Sequence, residues 1–498
     1  MSVVQRGKRP QWPGAASPSS SAPGSRQMAS SAARARAERE REAALRWLDT
    51  RDAGRSVAWI RRIVHIVWNR CNHLNAPVIY PWSPARNGTD IAHQLHRFAA
   101  ATVRKYYGRG LQRPWLWSKA CLWPVLAVAA IPPLLLRCGR RVRDLHGLSL
   151  FVQMRELFAA AMRHGIFPSE YYHHRIFRVS PDCDRANYLN EREVRALLLE
   201  CTRHTDAGRV NELLRFIAEG QTAGLPVPRT VATVERGEIH FSGVANESTL
   251  PARDLFLRPA QWERNDRGQH WRWNAQANAW TFRGDSRSAA ALLKHACHLG
   301  ASRAYLLHES ISNHPDIARF SAGGVCIAHV ASGLDEHGEP HVIMAALHLP
   351  ASTDGGWGPG PGELVAGIDP ATGRLGVAMD EFVSDGEFSV HPGTGVMIEG
   401  AVVPQWTAIV DLALRAHRHF CGLPFVGWRI ALTGAGPMLT EANTDWGIFR
   451  HVWPARTAFA TWCSRRLAEV GSDARSSRRT NAVALAADSV VVPPENHG

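Results

Sequence analysis

The sequence predicts an α+β fold, with a mostly helical N-terminal region ahead of a strand-rich C-terminal half. Three observations carry this. Up to Gly220, apolar residues recur at three- and four-residue spacing. After Gly220, short apolar runs bounded by Gly and Pro alternate with single helical patterns. The alternation lacks the regular βαβ period of a doubly wound sheet. The 498 residues are enough for about two to four domains and a sizeable core.

The N-terminal elements come first. AARARAEREREAALRWLDT, within residues 31–50, reads as an exposed helix with mixed charge. Residues 55–140 are basic and rich in tryptophan. Inside them lies ACLWPVLAVAAIPPLLL (120–136), uncharged between Lys119 and Arg137. This run is shorter than the roughly 20 apolar residues of a spanning helix. It also carries Pro124, Pro132 and Pro133, which break helical hydrogen bonding. Three readings stay open: a buried core segment, an interfacial or re-entrant segment, and a poor transmembrane helix. Core burial is favoured, with interfacial association second, because Trp and Arg flanks suit a headgroup layer. Helices follow over 148–165, 190–204 and 208–220.

The second half begins with a strand, turn and strand over 225–241 and a short buried strand over 254–260. A helix over 286–300 precedes a strand over 304–310. Strands cover 339–351 and 363–380, the latter folded at Thr372-Gly373. A helix over 404–422 leads into a closing hairpin.

Charge is uneven. Residues 1–150 hold 25 Lys and Arg against 7 Asp and Glu, so the whole excess of basic charge lies there. Residues 1–37 contain no acid and are rich in Ser, Ala, Pro and Arg, as in a transit peptide or a disordered extension. They lack the apolar run of a secretory signal. No nucleic-acid motif accompanies the basic charge, and its Trp-rich apolar setting points to lipid headgroups instead; a nucleic-acid partner is not expected. The 9 cysteines are scattered without a Cys-x-x-Cys pair, which predicts reduced thiols in a cytosolic protein and no zinc site. His173-His174, the pair His295 and His298, and the GPGPG turn read as structural.

The hairpin GWRIALTGAGPMLTEANTDWG (427–447) carries the chemistry. Alternation predicts that Leu439, Glu441 and Asn443 share one face. A carboxylate beside an amide carbonyl offers the hard oxygens that Mg²⁺ takes, alongside water and phosphate oxygens. Spacing alone equally suits an ordinary polar strand end, since Asn-Thr-Asp is common turn chemistry.

This hairpin resembles the closing hairpin of ATP-grasp proteins, and in particular the sugar-transfer-associated ATP-grasp family, whose motif runs Val-Gly-Trp-Asp, a Gly-Pro turn and Glu-x-Asn. CGRRVRDLHGLSLFVQMRELFAAAMRHGIFPSEYY (138–172), YLLHESISNHPDIARFS (305–321), GIDPATGRLG (367–376) and VHPGTG (390–395) resemble further parts of that family in order. The resemblance implies a two-lobed ATP-grasp fold, preceded by the helical region. It implies ATP and Mg²⁺ as cofactors, and a carboxylate turned into an acyl phosphate for attack by an amine or other nucleophile. The carboxylate and acceptor are unidentified, with saccharide or envelope biosynthesis as the setting. By motif position Arg258 stands at the phosphate-binding lysine, and His308 and Glu309 at the adenine and ribose contacts. Glu441 and Asn443 stand at the metal ligands. His329, in an arginine's place, and Asp369 are the candidate catalytic residues.

Departures from the motif define the alternative. Arg429 replaces the aspartate after Gly427-Trp428, so a metal carboxylate is missing, and Arg429 could pair with Glu441 in the metal's place. Glu363 or Asp369 could supply a second carboxylate. A catalytically degenerate ATP-grasp fold, acting as a nucleotide-binding or membrane-associated scaffold, therefore stands beside the ligase. The implied organisation is a disordered basic extension over 1–45, a helical Trp- and Arg-rich region over 46–215, the ATP-grasp domain over 216–468 and a flexible tail over 469–498. Peripheral membrane contact is expected through residues 55–140.

Overall fold

Strand alternation in the second half builds two seven-stranded antiparallel sheets. The computed structural model describes residues 91–107, 112–178, 188–189, 191–242, 250–261, 268–351, 363–380, 387–444, 459 and 461–466. All fall within the unit Arg55–Gly498. The expected helix over 31–50, the basic extension and the tail lie outside the described residues, as do residues 55–90.

The first sheet holds β1 (Thr230–Glu235), β2 (Glu238–Phe241), β3 (Leu255–Pro259), β4 (Gln269–Asn274), β5 (Ala279–Phe282), β6 (Asp285–Arg287) and β7 (Tyr305–Glu309), in the order β2-β1-β7-β3-β4-β5-β6. The helix Ala289–Gly300, capped by Ser288, packs Leu292, Leu293 and Ala296 against Leu255, Leu257 and Leu307. Phe256, Arg258 and His308 alternate to the other face. The expectation from sequence does not include β4 to β6, although Trp271-Arg272-Trp273 alternates, because these strands are only 6, 4 and 3 residues long between polar turns.

The second sheet holds β8 (Ile327–Leu334), β9 (Pro340–Pro350), β10 (Glu363–Ile368), β11 (Leu375–Asp380), β12 (Glu387–Phe388), β13 (Phe425–Thr433) and β14 (Gly436–Asn443), in the order β12-β11-β10-β9-β8-β13-β14. The helix Trp406–His419 covers the Trp428 side. There His417 Nε2 lies 2.8 Å from the Leu423 carbonyl, which can only accept. Its Nδ1 is therefore the acceptor for Ser332 Oγ at 2.6 Å, and Trp428 Nε1 donates to that oxygen at 2.8 Å. This buried Ser–His pair is fully used in holding helix to sheet.

The opposite face of the second sheet is shared out along β13. Phe425 and Ala331 lie under the helices Ile91–Tyr107 and Glu191–Cys201 and the C-terminal Phe459 and Trp462. Ala431 and Ile327 lie under Phe256 of the first sheet. Arg429 and its cross-strand partner His329 fall between these two packings.

Helix Leu150–His164 opens at a Ser149 cap and closes on Gly165 in the left-handed region, as the periodicity predicts. The expected helix over 208–220 is two, Gly208–Asn211 and Leu213–Thr222, broken at extended Glu212. The run 120–136 corrects the expectation for its prolines. It continues the helix Gln112–Leu134 through Pro124, Pro132 and Pro133 and ends in a π-helical turn, Leu135–Gly139. One side, Trp123, Ala127, Ile131 and Leu134, is buried, while Leu122, Val125, Val128 and Leu136 are exposed. Among the described residues no helix is long and apolar enough to cross a membrane. The described cysteines are free thiols.

Candidate nucleotide site at the junction of the two sheets

The site is built on the β13–β14 hairpin. Arg429 pairs with Glu441 and Ile430 with Leu439, which leaves Thr440 as an extra, bulged residue. Paired residues share a face and consecutive ones do not. Glu441 and Asn443 therefore share the face of Arg429, while Leu439 turns to the other. The expectation that Leu439 joins them is corrected by this bulge. Thr440 Oγ1 fixes it, donating to the Arg429 carbonyl at 3.0 Å.

Arg258 reaches this face from β3. Its Nη2 donates to Glu441 Oε2 at 3.1 Å, and its Nη1 lies 3.5 Å from the Thr440 carbonyl. Arg429 Nη1 approaches the same Oε2 at 3.8 Å. The Arg258 side chain is only 2% exposed, against 18% for Glu441. Burial lowers the Arg258 pKa to about 10, partly offset by Glu441, so the guanidinium stays charged at neutral pH. One carboxylate thus faces two guanidinia. Both contacts fall on Oε2, and Asn443 Oδ1 is buried without a hydrogen-bond partner among the described residues. Among the described residues, Glu441 Oε1 and Asn443 Oδ1 are the oxygens of this pair left outside the arginine contacts.

A polar row continues across the sheet from Arg429. His329 stacks on His348 at 4.0 Å between ring centroids, and His348 Nδ1 lies 3.6 Å from Glu363 Oε1. All three are buried. Burial, reinforced by His348 and Arg429, holds His329 well below the usual imidazole range. A neutral imidazole cannot supply the charge of the arginine whose place it takes. Glu363 ends this row. His348 was legible as the one ring nitrogen pair in the apolar run MAALHLP of β9; only the sheet register brings it to His329.

His308 lies on the Arg258 face, with its ring 5.5 Å from Phe256 and Nδ1 2.7 Å from the Glu309 carbonyl oxygen. Burial and Arg258 push its pKa down to about 3. Glu309, the next residue, alternates away and is held by Arg253 at 2.9 Å and Arg229 at 3.8 Å. Asp369 stays in its own turn: Oδ2 accepts from Thr372 Oγ1 at 2.6 Å and Oδ1 from the Ala371 amide at 3.1 Å. The structure therefore brings Arg258, His308, His329, Glu441 and Asn443 to facing surfaces, and leaves Glu309 and Asp369 engaged elsewhere.

Residues 216–452 match the family described as sugar-transfer associated ATP-grasp. Among solved structures, the chain is similar to an L-amino acid ligase from Bacillus licheniformis at 9% identity and TM-score 0.28, over 51% of this chain and 46% of that one. It is similar to a carboxyaminoimidazole ribonucleotide synthase from Aspergillus clavatus at 14% identity and TM-score 0.28, over 50% of each chain. A D-alanine–D-alanine ligase from Bacillus anthracis gives 10% identity and TM-score 0.29, over 55% of this chain and 70% of that one. The matched part spans about half the length of the first two structures. No curated protein matches the sequence.

Proposed function

We propose, from the premise that residues 216–452 belong to the sugar-transfer associated ATP-grasp family, that the junction of the two sheets binds ATP and uses it to activate a carboxylate. The observation that carries this is the Arg258–Glu441 contact at 3.1 Å between the two sheets. It gathers cationic and oxygen-donor groups from both lobes at one point, beside the unpartnered Asn443 Oδ1.

In this reading Arg258 and Arg429 take the phosphates, which suit guanidinium donors. Phe256 and the buried His308 wall the first-sheet side. The γ-phosphoryl group passes to a carboxylate oxygen and ADP leaves. An amine or other nucleophile then attacks the acyl carbon and displaces phosphate. The family description, sugar-transfer associated, supports a substrate or acceptor linked to saccharide transfer. Glu441 and Asn443 fit a magnesium ion, because Asn443 Oδ1 is an orphaned acceptor and Glu441 keeps an oxygen beyond its arginine contacts. Bound there, magnesium would offset charge on the phosphates during transfer. Neutral His329 would accept a hydrogen bond or proton rather than counter charge.

The test is release of ADP and phosphate with candidate carboxylates and amines, repeated with Glu441→Gln. Turnover at least tenfold lower is expected; unchanged turnover would remove Glu441 from the mechanism. The approach of Arg429 to Glu441 at 3.8 Å favours one second reading, a degenerate fold that binds nucleotide without metal. Calorimetric titration with ATP, with and without Mg²⁺, separates the two. Tight magnesium-dependent binding excludes the second.

A further inference from the structure

Far along the chain from the nucleotide site, the helix Gln112–Leu134 and its π-helical end carry apolar side chains on both sides from Leu122 to Leu136. Against the interior lie Trp123, Ala127, Ile131 and Leu134. The outward side carries Leu122, Val125, Val128 and Leu136, of which Val125 is 64% and Leu136 73% exposed. A helix apolar all round belongs in a core or against lipid. Here only half of it has a core to enter.

The neighbouring helix Leu150–His164 repeats the pattern. It buries Gln153, Leu157, Ala160 and Ala161, and turns Phe151, Met154 and Phe158 outward at three- and four-residue spacing. Phe151 is 69% and Phe158 51% exposed. Gln153 Nε2 donates to the Gly139 and Leu148 carbonyls at 2.9 and 2.7 Å, locking the two helices together. Such clustering of exposed large apolar side chains marks an interaction surface.

Charge decides the partner. Residues 119–163 hold 7 Lys and Arg against 2 acids, Asp144 and Glu156. Asp144 is paired with Arg143 at 3.0 Å, and Glu156 accepts from Tyr171 Oη at 2.7 Å. Arg140, Arg143, Arg155 and Arg163 are exposed on the helices Arg140–His146 and Leu150–His164 of the same stretch of chain. A second copy of the chain would bring these arginines against their like. An anionic surface with an apolar layer beneath satisfies both features.

We infer that the outward side of the helices Gln112–Leu134 and Leu150–His164 is a docking face for an anionic lipid bilayer, lying on it rather than crossing it. The face begins within the basic tryptophan-rich region and continues past residue 140 to Phe158. It is independent of the nucleotide reading.

Flotation of the full chain with vesicles of equimolar phosphatidylcholine and phosphatidylglycerol tests it, against phosphatidylcholine alone. Binding to the anionic vesicles is expected, weakening as salt rises, with little binding to the neutral ones. Phe151→Glu/Phe158→Glu should lower the bound fraction about tenfold. A parallel Val125→Glu/Val128→Glu variant should act alike. Circular dichroism and melting should be unchanged in both, because all four side chains are exposed. Absence of flotation would overturn the proposal, as would variants that float like the parent. A stable dimer in light scattering that either variant dissociates would assign the face to a second copy and overturn it too.

Discussion

The guanidinium of Arg258 and the carboxylate of Glu441 meet at 3.1 Å although 183 residues separate them in sequence. The contact joins β3 to β14, so the lobes share one ion pair as well as the apolar contact of Phe256 with Ala431. Its two ends are unequally buried, and that sets the first prediction. Glu441→Gln takes the carboxylate away from a guanidinium that is 2% exposed and has Arg429 nearby, and should destabilise the fold. Arg258→Met leaves a carboxylate that still has Arg429 and partial solvent, and should cost less. Urea unfolding of both variants checks the order; equal losses would contradict the asymmetry.

Asn443 gives a second prediction. If its buried Oδ1 is a metal ligand, Asn443→Leu should abolish any gain in ATP affinity from Mg²⁺ while keeping the metal-free affinity. Titration calorimetry reads both. A magnesium gain that survives the substitution would place the ion elsewhere.

Stability should fall on acidification. His308 is held neutral, with its pKa near 3, so the unfolded chain binds a proton there before the folded one does. The stability tied to neutral His308 is present above the unfolded value of about 6.5 and is lost as pH falls toward the folded one, by about 1.4 kcal/mol per pH unit at most. His329 and His391 shift in the same direction through burial and add to the slope. Denaturant melts at pH 7 and pH 5 should differ, and His308→Gln should shrink the difference. An unchanged difference would mean that His308 is not the group responsible.

The β10–β11 turn offers a fourth. Gly373 has φ of 71°, and a Cβ there would lie 2.6 Å from the Trp406 ring. Gly338 has φ of 81° and open space around it. Gly373→Ala should therefore destabilise beyond the roughly 1–2 kcal/mol of left-handed strain that Gly338→Ala pays alone. In the same turn, Asp369→Ala should cost about 1 kcal/mol through its lost hydrogen bonds. Lost turnover at full stability would instead return Asp369 to the chemistry.

Much of the local structure was written in short-range pattern. The hairpin, the strands over 255–259 and 305–309 and the helix over 406–419 follow from alternation, turn residues and helical spacing. β8 was harder, because Ile327–Leu334 is buried on both faces and shows no alternation. Leu439 faces away from Glu441 because a bulge adds one residue, and nothing in Leu-Thr-Glu announces it. Glu309 and Asp369 are candidates by motif position alone; in the structure Glu309 meets Arg253 and Arg229, and Asp369 accepts hydrogen bonds within its own turn.

The sequence by itself determined most of the elements, the basic character of the first 150 residues and the Glu441-x-Asn443 pair, because each depends on neighbours a few residues apart. Only the tertiary structure decided what those groups face. Sheet order set the part-buried Arg429 in one row with the buried His329, His348 and Glu363, and lobe packing carried Arg258 to Glu441. Cross-strand register and burial are properties of distant segments brought together, and charge in a buried site depends on those neighbours rather than on the residue's own name.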